Sequence, residues 1–163
     1  MAAAFHGYYS ETEFDLAPFE PLRDQIIELG RACVADGHRN LAVLGLLWQA
    51  IVAYARERDC RHLIGCSSLT SQDAREGASL YFELMRRHSA AIEFQTRPHA
   101  AFKCPLHEVA EEPFRVPKLL SAYLSIGAKI CAPPALDREF KTIDFLTLLD
   151  LDSLPARARQ LLA

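Results

Sequence analysis

Apolar residues recur along this chain in two periods. Leu44, Leu47, Trp48, Ile51 and Ala55 fall at the three-and-four spacing of one helix face, and the stripe ends in the charged run 56–59. Asn40 stands where such a helix needs an N-cap. Just before it, residues 26–34 are apolar on both faces except for Glu28, Gly30 and Arg31, which predicts a strand in mid-sheet. The connection 35–40 holds the turn dipeptide Asp36-Gly37. The pattern then repeats. Residues 62–69 predict a second strand and residues 73–88 a second helix, with Ala78, Tyr81, Met85 and His88 along one side. Strand, helix, strand, helix implies a parallel pair within an α/β sheet.

The flanks are more broken. Ser10-Glu11-Thr12-Glu13 has capping-box form, with Ser10 as cap and Glu13 reaching back, and Pro18 and Pro21 predict a loop after it. Residues 94–114 contain three prolines and predict a strand fragment followed by a long loop. Pro117 and Gly127 bracket a third helix, 129–132 a short strand, and 142–151 a final strongly apolar strand. The tail from Pro155 predicts a short helix.

Composition narrows the class. At 163 residues and 50% hydrophobic, the chain is expected to form one domain over 1–163 that needs neither disulfide nor metal. A formal charge of -3 gives no general reason to bind nucleic acid. No apolar run approaches the roughly 18 residues of a membrane span, and the first residues lack a signal-peptide pattern, so a cytosolic location is expected. Five cysteines without a C-x-x-C pair fit reduced thiols. His99, Cys104 and His107 give one lone Cys-x-x-His, and no metal site is expected there.

Glu28 and Arg31 carry the candidate chemistry, because a carboxylate and a guanidinium in a half-buried strand are costly unless paired or used. Gly30 marks a bulge that would splay the strand from its partner. A splay exposes backbone N–H groups to a thioester carbonyl, while Glu28 takes a proton from an attacking amine. The other reading is a buried Glu28–Arg31 pair that only fixes the strand. A Cys66 nucleophile is not expected, because His62 lies about 13 Å away along the same strand.

The segments YYSETEFDLAPFEPLRDQIIELGRACV, HRNLAVLGLLWQAIVAY, LIGCSSL, VPKLLSAYLSIGAKIC and DREFKTIDFLTLLDLDSL resemble, in order, blocks of the GNAT-like ornithine N-acyltransferase family, also called hemolysin-like. The Glu-Leu-Gly-Arg segment is also similar to the Glu-x-x-Arg strand of acyl-homoserine-lactone synthases. The resemblance implies an α/β, GNAT-like mixed sheet flanked by helices, with N-terminal strands and helices of the family lying before the first block. It implies transfer of a fatty acyl group from acyl carrier protein or acyl-CoA to ornithine or another amino acid. The acyl-phosphopantetheine thioester would then be a co-substrate, with no cofactor permanently bound.

By the same resemblance Glu28 is the base and Arg31 organises the site. Arg39 and Asn40 begin a degenerate pyrophosphate cradle suited to a single phosphate. Ser67 and Ser68 would bond the pantetheine amides, Tyr123 and Lys129 would contact substrate, and Arg56, Arg58 and Arg61 would meet an acidic carrier protein. Ser121-Ala122 and Lys141 depart from the family pattern and bear on the acceptor. Two alternatives stand beside this reading: a non-catalytic module that binds carrier protein or acyl chain, and an acyl-homoserine-lactone-type signal synthase. An open strand edge would favour a homodimer or a second subunit. A lipid product would bring peripheral membrane contact.

Overall fold

The structure, a computed structural model, describes residues 7–30, 34–111 and 115–162. In chain order the regular elements are β1 (Ile26–Glu28), α1 (Leu41–Glu57), β2 (His62–Leu69), α2 (Ala74–His88), α3 (Lys118–Ser125), β3 (Lys129–Ile130), β4 (Ala135–Asp137), β5 (Thr142–Asp150) and α4 (Ala156–Leu161). They form a GNAT-like α/β mixed sheet of order β1-β2-β5-β3, with β4 also on β5. β5 pairs antiparallel with β2 along one edge and with β3 and β4 along the other. β1 joins β2 in parallel, as a strand–helix–strand crossover requires.

Both faces of β5 are covered, which is why it reads as one apolar run. Ile143, Phe145 and Leu149 face the helices: the first two pack with Leu80 and Leu84 of α2 and Leu120 of α3, the last with Val52 and Ala55 of α1 and Ala158 of α4. Leu146 and Leu148 face the opposite way, onto Phe14, Leu16 and Phe19 of the N-terminal segment. Fully burying side chains of this size is worth roughly 1.5–3 kcal/mol each, so the N-terminal segment is as much a structural layer as the helices are.

Local signals placed most helix ends. Asn40 Oδ1 accepts the Val43 N–H at 3.0 Å, Asp73 Oδ1 accepts the Arg75 N–H at 2.9 Å, and Gly127 takes the left-handed turn (φ +107°) after α3. Several expectations need correction. The first strand ends at Glu28 rather than 34, and among the described residues it lies at the sheet edge, not in mid-sheet. Gly30 forms no bulge; it follows the end of the strand. Pro18 and Pro21 lie within a 3-10 helix, Ala17–Gln25, whose tighter turns tolerate the missing N–H groups. The capping box belongs to Glu11, whose Oε2 accepts the Tyr8 N–H at 3.0 Å. Leu47 is 41% exposed; on the expected side of α2, Ala78 is buried and Tyr81 and Met85 pack partly buried against the core, but the centre of the buried face lies at Gly77, Leu80 and Leu84. In 94–111 the expected strand fragment is replaced by 3-10 turns and isolated bridges.

Candidate active site

The sheet opens where β1 leaves β2. Their pairing ends with the Leu29 N–H donating to Ile64 O at 2.7 Å. At the next residue of β2, Gly65, a Cβ would lie 2.5 Å from Leu29 O, so only glycine allows the two backbones to come this close. Strand alternation then aims the Cys66 N–H at the vacated edge, and among the described residues no β1 carbonyl receives it. On the helix face a small cleft, with about 30 Å³ open to a water-sized group, adjoins this gap, walled by Leu29, Trp48, Leu63, Tyr123, Ala128 and Leu149, with Gly65, Cys66 and Thr147 from the strands. Trp48 and Tyr123 meet edge to face at 5.3 Å, and burial pushes the Tyr123 phenol above its ordinary pKa.

On the opposite face stands Glu28. Its Oε2 accepts the Tyr9 N–H at 2.6 Å, and its Oε1 accepts the Ser10 N–H at 2.7 Å and the Ser10 hydroxyl at 2.6 Å. The carboxylate is therefore fixed by the N-terminal turn, with lone pairs left over on its oxygens. Ser10 Oγ also lies 3.5 Å from Cys66 Sγ. Burial first, then the charge of Glu13, keeps that thiol far above its ordinary pKa, so it is a neutral group and not a thiolate nucleophile.

Further along the same face lies a cluster that the sequence reading missed. One carboxylate oxygen each of Glu13, Asp137 and Asp144 lies within 4.8 Å of the others, and all three residues are buried. Glu13 is pushed up to about 8 by burial, then by the charges of Asp144 and Asp137. Asp144 is also raised, chiefly by burial, although the hydroxyls of Ser68 and Thr142 hold it back. Residues this far apart in sequence meet only through the β4–β5 pairing and the docking of the N-terminal turn. Glu13 had a local capping role as a rival reading, and Asp137 a turn role.

The other candidate residues are dispersed. Arg31 lies outside the described residues. Arg39 is occupied by its own loop, donating to Val34 O at 2.9 Å and pairing with Asp36 at 3.1 Å, while Asn40 is the α1 cap. Ser67 is buried on the helix face opposite Phe145, away from the gap, and Ser68 is exposed beside Asp144. Lys129 is exposed on β3, where its charge adds to burial in lowering the His88 pKa. Arg61 holds Asp150 at 2.7 Å and Arg58 covers the Tyr54 ring at 5.0 Å. His99, Cys104 and His107 do not converge: His99 Nε2 bonds to Glu11 O, Cys104 is buried near Ala74 O, and His107 pairs with Glu108.

Residues 1–49 match the model of the acetyltransferase (GNAT) domain. Over 98% of its length the chain is 30% identical to an L-ornithine N(alpha)-acyltransferase of Rhodobacter capsulatus, covering 63% of that protein. It is 29% identical to proteins of the same name from Agrobacterium fabrum, over 96% of this chain and 56% of the relative, and Brucella abortus, over 93% and 57%. The chain thus spans less than two thirds of the length of these relatives. No solved structure matches it at the same level of significance. Over nearly its whole length the chain is thus similar in sequence to L-ornithine N(alpha)-acyltransferases, and its first 49 residues to the acetyltransferase (GNAT) domain.

Proposed function

We propose that this chain transfers a fatty acyl group from a phosphopantetheine thioester to the α-amino group of ornithine. The observation that carries this reading is the gap between β1 and β2, with an apolar cleft on one side and a fixed carboxylate on the other. The donor thioester reaches the gap from the cleft side, and the acceptor approaches from the Glu28 face. The amine nitrogen attacks the thioester carbon, and its proton passes to the Glu28 carboxylate. The Cys66 N–H, facing the gap, stabilises the oxyanion as it forms. Collapse of the intermediate breaks the C–S bond and leaves an amide, and the departing thiolate takes a proton. Three hydrogen bonds to Glu28 orient it for this role while leaving acceptor capacity free. Arg31, next to the gap in sequence, organises the site in this reading.

Donor phosphate binds at the start of α1, where the first-turn N–H groups and the helix dipole favour an anion and Asn40 takes the Val43 N–H with its side chain and the Leu44 N–H with its carbonyl. Arg39 then exchanges Asp36 for the phosphate, an exposed and therefore weak contact to give up.

Glu28→Gln is expected to lower single-turnover acyl transfer to ornithine by about 10²-fold, because it removes the base and keeps the shape. The amide can still accept one Ser10 bond, so circular dichroism and melting should show a folded protein. Transfer at the wild-type rate by the folded variant would remove Glu28 from the mechanism.

A further inference from the structure

We propose that Glu13, Asp137 and Asp144 form a subsite for the second, side-chain ammonium of a diamino-acid acceptor. This deepens the acyl-transfer reading and rests on it. Three carboxylates gathered out of water repel one another unless they hold protons or a cation. Among the described residues no lysine or arginine pairs with any of them. Asp137 Oδ1 is occupied by the N–H groups of Glu139 and Phe140, at 2.7 and 2.9 Å, and Asp144 Oδ2 by the Thr142 hydroxyl at 2.9 Å. That leaves Glu13 Oε2 and Asp144 Oδ1, sealed from solvent and without a partner, on side chains only 2% and 4% exposed. With only the proton that Glu13 retains to share between them, these two buried oxygens ask for a further donor. A primary ammonium brings three N–H donors and the missing positive charge at once.

Access and placement agree with this. An open groove of ≈ 470 Å³ runs past Asp137, Tyr9 and Thr12, and the half-exposed Tyr9 ring stands at its side. Tyr9 and Asp137 line the same groove, and burial first, then the charges of Glu13 and Asp137, raise the Tyr9 phenol. The same turn fixes Glu28 through the Tyr9 and Ser10 N–H groups. Cys66 belongs to the same face, its Sγ 3.5 Å from Ser10 Oγ. The face thus offers a base at one end and an ammonium trap at the other, which suits an α-amine to be acylated and a terminal amine to be held.

The test compares L-ornithine with L-norvaline, which has the same carbon chain without the terminal amine. Acyl transfer by the chain should favour ornithine by at least tenfold in kcat/KM, and isothermal titration should show the same order of affinity. Asp144→Asn should bring the two acceptors to within about threefold, with transfer to norvaline retained, which shows that the variant folds. Glu13→Gln, a milder change, should reduce the preference in the same direction. Transfer at equal rates to both acceptors by the wild type would overturn the subsite and leave the acyltransferase reading standing. Absence of transfer to any amine would count against that reading instead, and titration alone would then decide the subsite: ornithine binding that Asp144→Asn abolishes supports it, and equal or absent binding of both amino acids overturns it. Stoichiometric Mg²⁺ or Ca²⁺ binding lost in Asp144→Asn, with no ornithine preference, would also overturn it, in favour of a metal site.

Discussion

Glu13 is the residue whose ionisation matters most to the folded state. Its carboxyl is held protonated to about 8 against an ordinary 4.5, with Asp144, Asp137, Tyr9 and Cys66 around it. The folded chain therefore keeps a proton that the unfolded chain has lost. The stabilisation is complete below about 4.5 and disappears as pH rises through about 8. Melting temperature in the absence of ligand should fall across that window, and Glu13→Gln should flatten the fall; an unchanged slope in the variant would assign the effect elsewhere. Glu28 was legible as a costly charge in an apolar segment, but its partners were not. The local pattern pointed to Arg31, three residues on, whereas the bonds come from Tyr9 and Ser10, 19 and 18 residues back. Nothing in local periodicity encodes such a pairing.

At the scale of elements, helices and their caps were readable because a cap and a 3.6-residue stripe are local. The reach of β1 was not, because where a strand stops depends on what its neighbour allows. Gly65 lets the two strands close up just before they part, and no local pattern marks it for that role. Gly65→Ala would put a methyl group against Leu29 O and push β1 from β2 at the gap. A loss of about 1–3 kcal/mol in urea unfolding is expected, together with a weaker affinity for acyl donor. Wild-type stability and donor affinity in the variant would show that the close approach is incidental. β4 was missed for a related reason: three residues after a Pro-Pro pair carry no pattern until β5 is there to pair with.

For the whole molecule, the distribution of arginines sets the expected donor. Arg61 is committed to Asp150 and Asp152, but Arg56 and Arg58 remain exposed at the end of α1. An acidic carrier protein has charges to meet there that coenzyme A does not reach. Acyl carrier protein should therefore bind more tightly than acyl-CoA at low salt, and the advantage should shrink as ionic strength rises. Titration of both donors at two salt concentrations measures it, and tighter, salt-insensitive acyl-CoA binding would reverse the assignment. The same scale explains why the candidate site was only half visible: its parts come from the N-terminal turn, β1, β2 and β5, and assemble only when the sheet does.

That β5 carries β2, β3 and β4 has a consequence for how the protein is made. A nascent chain that has emerged from the ribosome as far as Asp137 holds β1 to β4 and α1 to α3, and of the strand pairings described only that of β1 with β2 is open to it. The contact between Thr147 and Gly65 closes a loop of 82 residues, so the full sheet cannot form on the ribosome until β5 has emerged. Until then the apolar faces of α1, α2 and β2 are exposed together, and this is the interval in which a chaperone would be needed.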